Sequence, residues 1–275
     1  MALIEACRAG FKYADNTIFE DVSFTVRPGE IFCLLGPNGC GKTTLLDCLI
    51  SSKKLHTGMI LLKGEELRTL TSVDIAKRLA YVPQDHHKSF PYTVEEVVMM
   101  GRAPFIGMFS QPGEADYAVV HGILADLGLS WLRERPYTQI SGGQLQLVMI
   151  ARALAQQAPL LIMDEPTSHL DFKHEILLLE MIARIVRETG IAVVMASHFP
   201  NQVFYLENRG VPVRAALMNG QTLSYCGEPS EVITSDTLQE VYGVVTRVVT
   251  YPGINGQVCK YIVPMGMSQK GGETI

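Results

Sequence analysis

The sequence predicts an α/β fold built on a parallel sheet. Three observations carry that prediction. Ile31 to Leu35 is continuously apolar, as a strand covered on both faces is, and it runs into a glycine-rich segment (36–41) and then a helical pattern with Leu45, Leu46, Leu49 and Ile50. Two more apolar runs, Leu160 to Met163 ending at Asp164 and Ile191 to Met195, flank a helix expected from His174 to Thr189 and stopped by Gly190. A strand–helix–strand order of this length is a crossover, which makes the strands parallel.

The elements follow in order. Residues 3–35 read as short strands broken by turns at Asp15-Asn16 and at 27–30. Val22, Phe24 and Val26 alternate with Ser23, Thr25 and Arg27, the pattern of a half-buried strand. Residues 1–85 and 156–240 are assigned to the α/β core. Residues 86–155 are assigned to a helical insertion, on the periodicity of Val94, Val97, Val98, Ile123, Leu124 and Leu127 with Gly/Pro breaks over 101–113. From 241 to 275 the chain reads as a strand-rich extension, with Val244, Val245, Val248 and Val249 ahead of a Pro252-Gly253 turn. No internal repeat or heptad array is present.

Composition bounds the function. The 275 residues are 47% apolar and 19% charged, enough for a core without disulfide or metal staples. A net charge of −5 argues against a general nucleic-acid binder, so no nucleic-acid partner is expected. The most apolar 20-residue window, Gln144 to Met163, is interrupted by Gln146, Arg152, Gln156, Gln157 and Pro159, and the first ten residues carry Glu5 and Arg8, unlike a secretory signal. A cytoplasmic location is expected. None of the six cysteines forms a CxxC pair, so neither a zinc site nor a disulfide framework is expected.

Three segments carry chemistry. GPNGCGKT (36–43) fits G-x-x-x-x-G-K-[ST] between a strand and a helix: the backbone amides curl around phosphate oxygens, Lys42 neutralises the outer phosphates and Thr43 can ligate Mg²⁺. The bland alternative is a chance match in a turn. LLIMDE (160–165) brings Asp164 and Glu165 to the carboxyl end of a buried strand, where Asp164 can hold Mg²⁺ and Glu165 can orient or deprotonate water; a cap or a solvated turn is the alternative. ISGGQ (140–144) opens a helix, either as a second anion-binding N-terminus or as an ordinary cap by Ser141.

In this order, the motifs resemble the ATP-binding subunits of ABC transporters over nearly the whole chain. The resemblance implies a P-loop NTPase (RecA-like) parallel-sheet core with an N-terminal antiparallel β subdomain and an inserted α-helical subdomain. It implies an ATPase with ATP and Mg²⁺ as cofactors. Tyr13 matches the aromatic residue stacked on adenine. Gly36, Pro37, Asn38, Gly39, Cys40, Gly41, Lys42, Thr43 and Thr44 match Walker A. Gln84 matches the Q-loop glutamine, reaching Mg²⁺ and water. Ser141, Gly142, Gly143 and Gln144 match the signature, Asp164 and Glu165 match Walker B and the catalytic glutamate, Ser168 to Asp171 match the D-loop, and His198 matches the switch histidine. Each has a plainer alternative: Tyr13 packs, Gln84 is a turn residue after Pro83, and His198 is a capped or core histidine.

The pattern departs from the family in places. Ile140 stands where leucine is usual. Leu145 and Leu147 replace residues that are often basic. Cys40 replaces a common serine, and its helix N-terminus and Lys42 predict a lowered thiol pKa. SGGQLQL and MGRAPFIGMF (100–109) are similar to the branch that imports siderophores, cobalamin and molybdate.

The resemblance also implies partners. It implies a head-to-tail dimer with a second copy, transmembrane permease subunits docked around 85–110 by Phe90, Phe105, Met108 and Phe109 (internal packing being the alternative), an extracytoplasmic substrate-binding protein acting indirectly, and a peripheral position on the cytoplasmic face. A soluble ABC-type ATPase serving as an assembly factor, as in iron–sulfur cluster building, would share every nucleotide motif. A DNA-repair ATPase of the class is excluded, because the stretch from Thr44 to Ser141 has no room or heptads for its coiled coil.

Overall fold

The computed structural model describes residues 1–86, 90–107, 109–168, 170–253 and 256–268. The chain opens with β1 (Ile4–Tyr13), β2 (Asn16–Val26), β3 (Ile31–Leu35), α1 (Lys42–Leu49), β4 (Thr57–Leu62), β5 (Glu65–Glu66), α2 (Ser72–Ala76) and β6 (Leu79–Val82). The insertion follows as α3 (Val94–Met99), a 3-10 segment (Met100–Phe105), α4 (Glu114–Asp126) and α5 (Gly142–Ala155). The chain then returns through β7 (Leu160–Asp164), α6 (Phe172–Thr189), β8 (Ala192–Ser197), α7 (Asn201–Glu207), β9 (Val213–Asn219), β10 (Thr222–Gly227), α8 (Pro229–Val232) and α9 (Ser235–Tyr242). It ends with a hairpin of β11 (Val244–Pro252) and β12 (Val258–Met267).

The central sheet has the order β10-β9-β3-β8-β7-β6, parallel except for β10 at one edge. A second, antiparallel sheet, β2-β1-β4-β5, forms the N-terminal layer. β3 shows why its sequence is apolar throughout. Ile31, Cys33 and Leu35 enter the core shared with α3, α5 and α6, whereas Phe32 and Leu34 enter the core shared with α1 and the antiparallel sheet. Phe32 stacks on Phe24 of β2 with centroids 4.7 Å apart, joining the two sheets.

Two expected boundaries move slightly. α6 begins at Phe172 rather than His174, because Asp171 caps it by accepting the His174 amide proton. β8 begins at Ala192 rather than Ile191, since Gly190 turns at φ 70° and leaves Ile191 to re-enter the sheet. Among the described residues no helix is long and apolar enough to cross a membrane. Met108 and His169 lie outside the described residues.

Candidate functional site

Parallel pairing brings four strand ends to one edge. Leu35 pairs with Ser197, Ala196 with Asp164, and Met163 with Val82. The segment 36–43, His198, Glu165 and Gln84 therefore follow from neighbouring strand ends, as the open crevice of an α/β sheet requires.

The 36–43 turn wraps onto α1. Gly41, the N-cap of α1, sits at φ 99°, and a Cβ there would lie 2.9 Å from Ile18 Cγ2. A Cβ on Gly36 would lie 2.6 Å from Cys40 Sγ and 2.9 Å from the Met218 carbonyl oxygen. Gly41 offers α1 no capping side chain, so the helix's first amides can meet an anion. Lys42 is only 5% exposed and curls back: its Nζ donates to the carbonyls of Gly36 (2.8 Å) and Pro37 (3.1 Å) and stands 3.6 Å from Glu165 Oε1. The adjoining cleft of about 340 Å³ is lined by Ile18, Asn38, Gly39, Gly41, Lys42, Thr43, Thr44, Gln84 and Glu165.

Glu165 is where these groups meet. Its Oε2 accepts from Gln84 Nε2 at 3.4 Å and lies 3.1 Å from His198 Nδ1. Its backbone is left-handed at φ 43°, which costs a non-glycine residue of order 1 kcal/mol or more. Three hydrogen bonds hold that conformation: the Glu165 amide donates to Ala196 O, and the Ser168 amide and hydroxyl both donate to Glu165 O.

The neighbouring Asp164 is buried, and burial pushes its carboxyl pKa up, offset in part by the Thr43 hydroxyl. Its Oδ1 is buried without a hydrogen-bond partner among the described residues. An acceptor-only oxygen held that way fits a hard divalent cation.

Cys40 corrects an expectation. Its thiol pKa is raised, not lowered, because burial outweighs the opposing influence of Lys42. The thiol is packed against Gly36 instead of facing solvent.

Other expected site residues lie apart from the cleft. Tyr13, 48% exposed at the end of β1, sets its ring edge-on to Phe11 and has Lys53 Nζ 5.9 Å from its centroid. Ser141 caps α5: its hydroxyl accepts the Gln144 amide proton while Gln144 Oε1 accepts the Ser141 amide proton. Gly142 follows in the first turn, and a Cβ on Gly143 would lie 3.2 Å from the His174 ring. None of Tyr13, Ser141, Gly142, Gly143 and Gln144 lines the cleft of their own chain.

Sequence reasoning did not find Ile18, which forms one wall of the cleft across 23 residues of sequence from Gly41. Nor did it find Gln202, whose buried amide joins the loops that carry Glu165 and His198. A lone Ile in an edge strand and a lone Gln in a helix carry no signal by themselves.

Residues 19–168 match the family model described as ABC transporter. The iron(3+)-hydroxamate import ATP-binding protein FhuC of Bacillus subtilis is 35% identical over 250 residues, covering 91% of this chain and 91% of that protein. The molybdate import ATP-binding protein MolC of Haemophilus influenzae is 35% identical over 234 residues, covering 85% of each chain. A solved metal-chelate type ABC transporter in an inward-facing conformation superposes with a TM-score of 0.84 at 30% identity, covering 96% of this chain and 98% of that one. With the phosphate-loop geometry at the shared strand edge and this likeness along almost the whole chain, the protein belongs to the ATP-binding subunits of ABC transporters, ATPases of the P-loop NTPase fold.

Proposed function

We propose that this chain hydrolyses ATP to drive an importer of metal chelates or related oxyanions, working as a head-to-tail pair on the cytoplasmic face of a membrane permease. One observation carries the reading: a single carboxylate, Glu165, is met by Lys42, Gln84 and His198 at the edge of the phosphate-loop cleft. Triphosphate entering the cleft would take the 36–43 amides and the α1 N-terminus as donors and draw Lys42 Nζ from the Gly36 and Pro37 carbonyls. Glu165 would then accept the proton of the attacking water, with His198 fixing its Oε2.

Thr43, Asp164 and Gln84 are the residues that would hold Mg²⁺, whose part is to neutralise charge on the phosphates. Among the described residues no group of three or more His, Cys, Asp or Glu is placed to hold a metal alone, so the phosphates would supply the remaining ligands. Tyr13 would stack on adenine. Ser141, Gly142, Gly143 and Gln144, which stand off their own cleft, would close that of a second copy.

The permease would dock on the helical insertion. Phe109 is 99% exposed there, Phe90 and Phe105 are also exposed, and a groove of about 480 Å³ has Met99, Met100 and Ile106 among its lining residues. FhuC and MolC are each 35% identical to this chain over their aligned residues and carry different import names, which supports placing substrate choice in other subunits.

Glu165→Gln tests the reading. The amide still accepts a hydrogen bond but takes no proton, so ATP binding should persist while turnover falls by at least about a hundredfold. Wild-type turnover in that variant would remove Glu165 from the chemistry.

A further inference from the structure

The Glu165 and His198 loops are joined behind the cleft by one buried amide. Gln202, in the first turn of α7, is 3% exposed. Its Oε1 accepts from Ser197 Oγ at 2.7 Å, and its Nε2 donates to Thr167 Oγ1 and to Glu175 Oε1, both at 2.8 Å. Ser197 Oγ accepts the Phe199 amide proton at 3.0 Å. The direction of the network is determined: a carboxylate only accepts, so the Nε2 side of the amide must face Glu175, and the single Ser197 hydroxyl proton goes to Oε1.

Both ends of this network reach the site. Thr167 lies two residues after Glu165, in the turn whose Ser168 holds the Glu165 carbonyl. Ser197 and Phe199 flank His198. Thr167 and Ser197 are themselves buried, so neither hydroxyl trades its partner for water at little cost.

We propose that Gln202 is a positioning residue that holds the His198 loop in register with the Glu165 loop and so sets the 3.1 Å separation of His198 Nδ1 and Glu165 Oε2. Glu175 acts with it as the acceptor that orients the amide. An apolar side chain of the same size would fill the space without fixing the register. The inference rests on the reading of Glu165 and His198 as the groups that act on water.

The test is steady-state ATP hydrolysis by the full chain carrying Gln202→Leu, Gln202→Glu, or Gln202→Glu together with Glu175→Gln. Gln202→Leu orphans Thr167, Ser197 and Glu175, and Gln202→Glu sets two carboxylates face to face. Each should lower kcat by at least about tenfold with KM for ATP within about twofold, because the phosphate loop is untouched. The double exchange reverses the polarity: an amide at 175 donates to a carboxylate at 202, which also accepts from the two hydroxyls. It should recover kcat to within about threefold of wild type, a rescue that mere packing does not provide.

Wild-type kcat in both single variants, a loss confined to KM, or a folded double variant no faster than Gln202→Glu overturns the proposal. If Gln202→Leu melts below the assay temperature, Gln202→Met takes its place. A Glu165→Gln control separates the two levels: an inactive control beside fully active Gln202 variants defeats only this inference, whereas an active control defeats the reading beneath it.

Discussion

Glu165 gathers an ammonium, an amide and an imidazole around one carboxylate, and its left-handed backbone shows what holding it there costs. A residue of this type reaches φ 43° only when its surroundings over-determine it, here through Ala196 and Ser168. Cys40 shows the opposite balance, with burial prevailing over a neighbouring positive charge. Its alkylation by iodoacetamide at pH 7.5 should therefore run slower than that of free cysteine. The rate should climb as pH rises toward the raised thiol pKa, since the thiolate is the reacting form. Bound ATP, covering the loop, should slow it further. Labelling of Cys40 faster than free cysteine, followed by peptide mass spectrometry, would contradict the buried placement.

Among the elements, β3 and the terminal hairpin make the contrast. β3 is apolar at all five positions because each face meets its own core, and this much is readable without coordinates. The hairpin's first strand is also readable from Val244 to Val249, but the seat of the hairpin is not. Asn201 at the start of α7 clamps Ile262 of β12 from both sides, donating Nδ2–H to its carbonyl at 3.1 Å and accepting its amide proton at 2.8 Å. Lys260 adds an ion pair to Glu207 at 3.5 Å, and its Nζ stands 5.7 Å from the Phe204 ring centroid. Asn201→Leu leaves both Ile262 backbone groups without their partner, a loss of about 1–3 kcal/mol. Amide exchange across 256–267 should accelerate in that variant while β7 and β8 keep their protection. Unchanged exchange in the hairpin would show that the strand is seated by other contacts.

At the level of the molecule, the two halves of the motif set are kept apart. The phosphate loop, Gln84, Asp164, Glu165 and His198 share one edge of the central sheet, whereas Ser141 to Gln144 begin a helix that lines none of their cleft. In the proposed head-to-tail pair, a second copy would bring its own signature segment to this cleft. The Glu165→Gln variant with ATP and Mg²⁺ should elute as a dimer on sizing, and with ADP as a monomer, because only the γ-phosphate offers groups to both copies. A monomer at every ATP concentration would exclude the paired site.

From consecutive residues alone one reads the α/β class, three of the central strands (β3, β7 and β8) and the order of the nucleotide motifs, since apolar runs, helix stops and a glycine-rich phosphate loop are local patterns; β6 and β9 of the same sheet are not read this way. The tertiary structure alone decided which groups converge. Ile18 reaches Gly41, Gln202 spans from Ser197 to Thr167 and Glu175, Asn201 grips Ile262, and burial reverses the expected direction for Cys40. Those outcomes depend on distance and desolvation between residues far apart in the chain, quantities that exist only once the sheet has assembled.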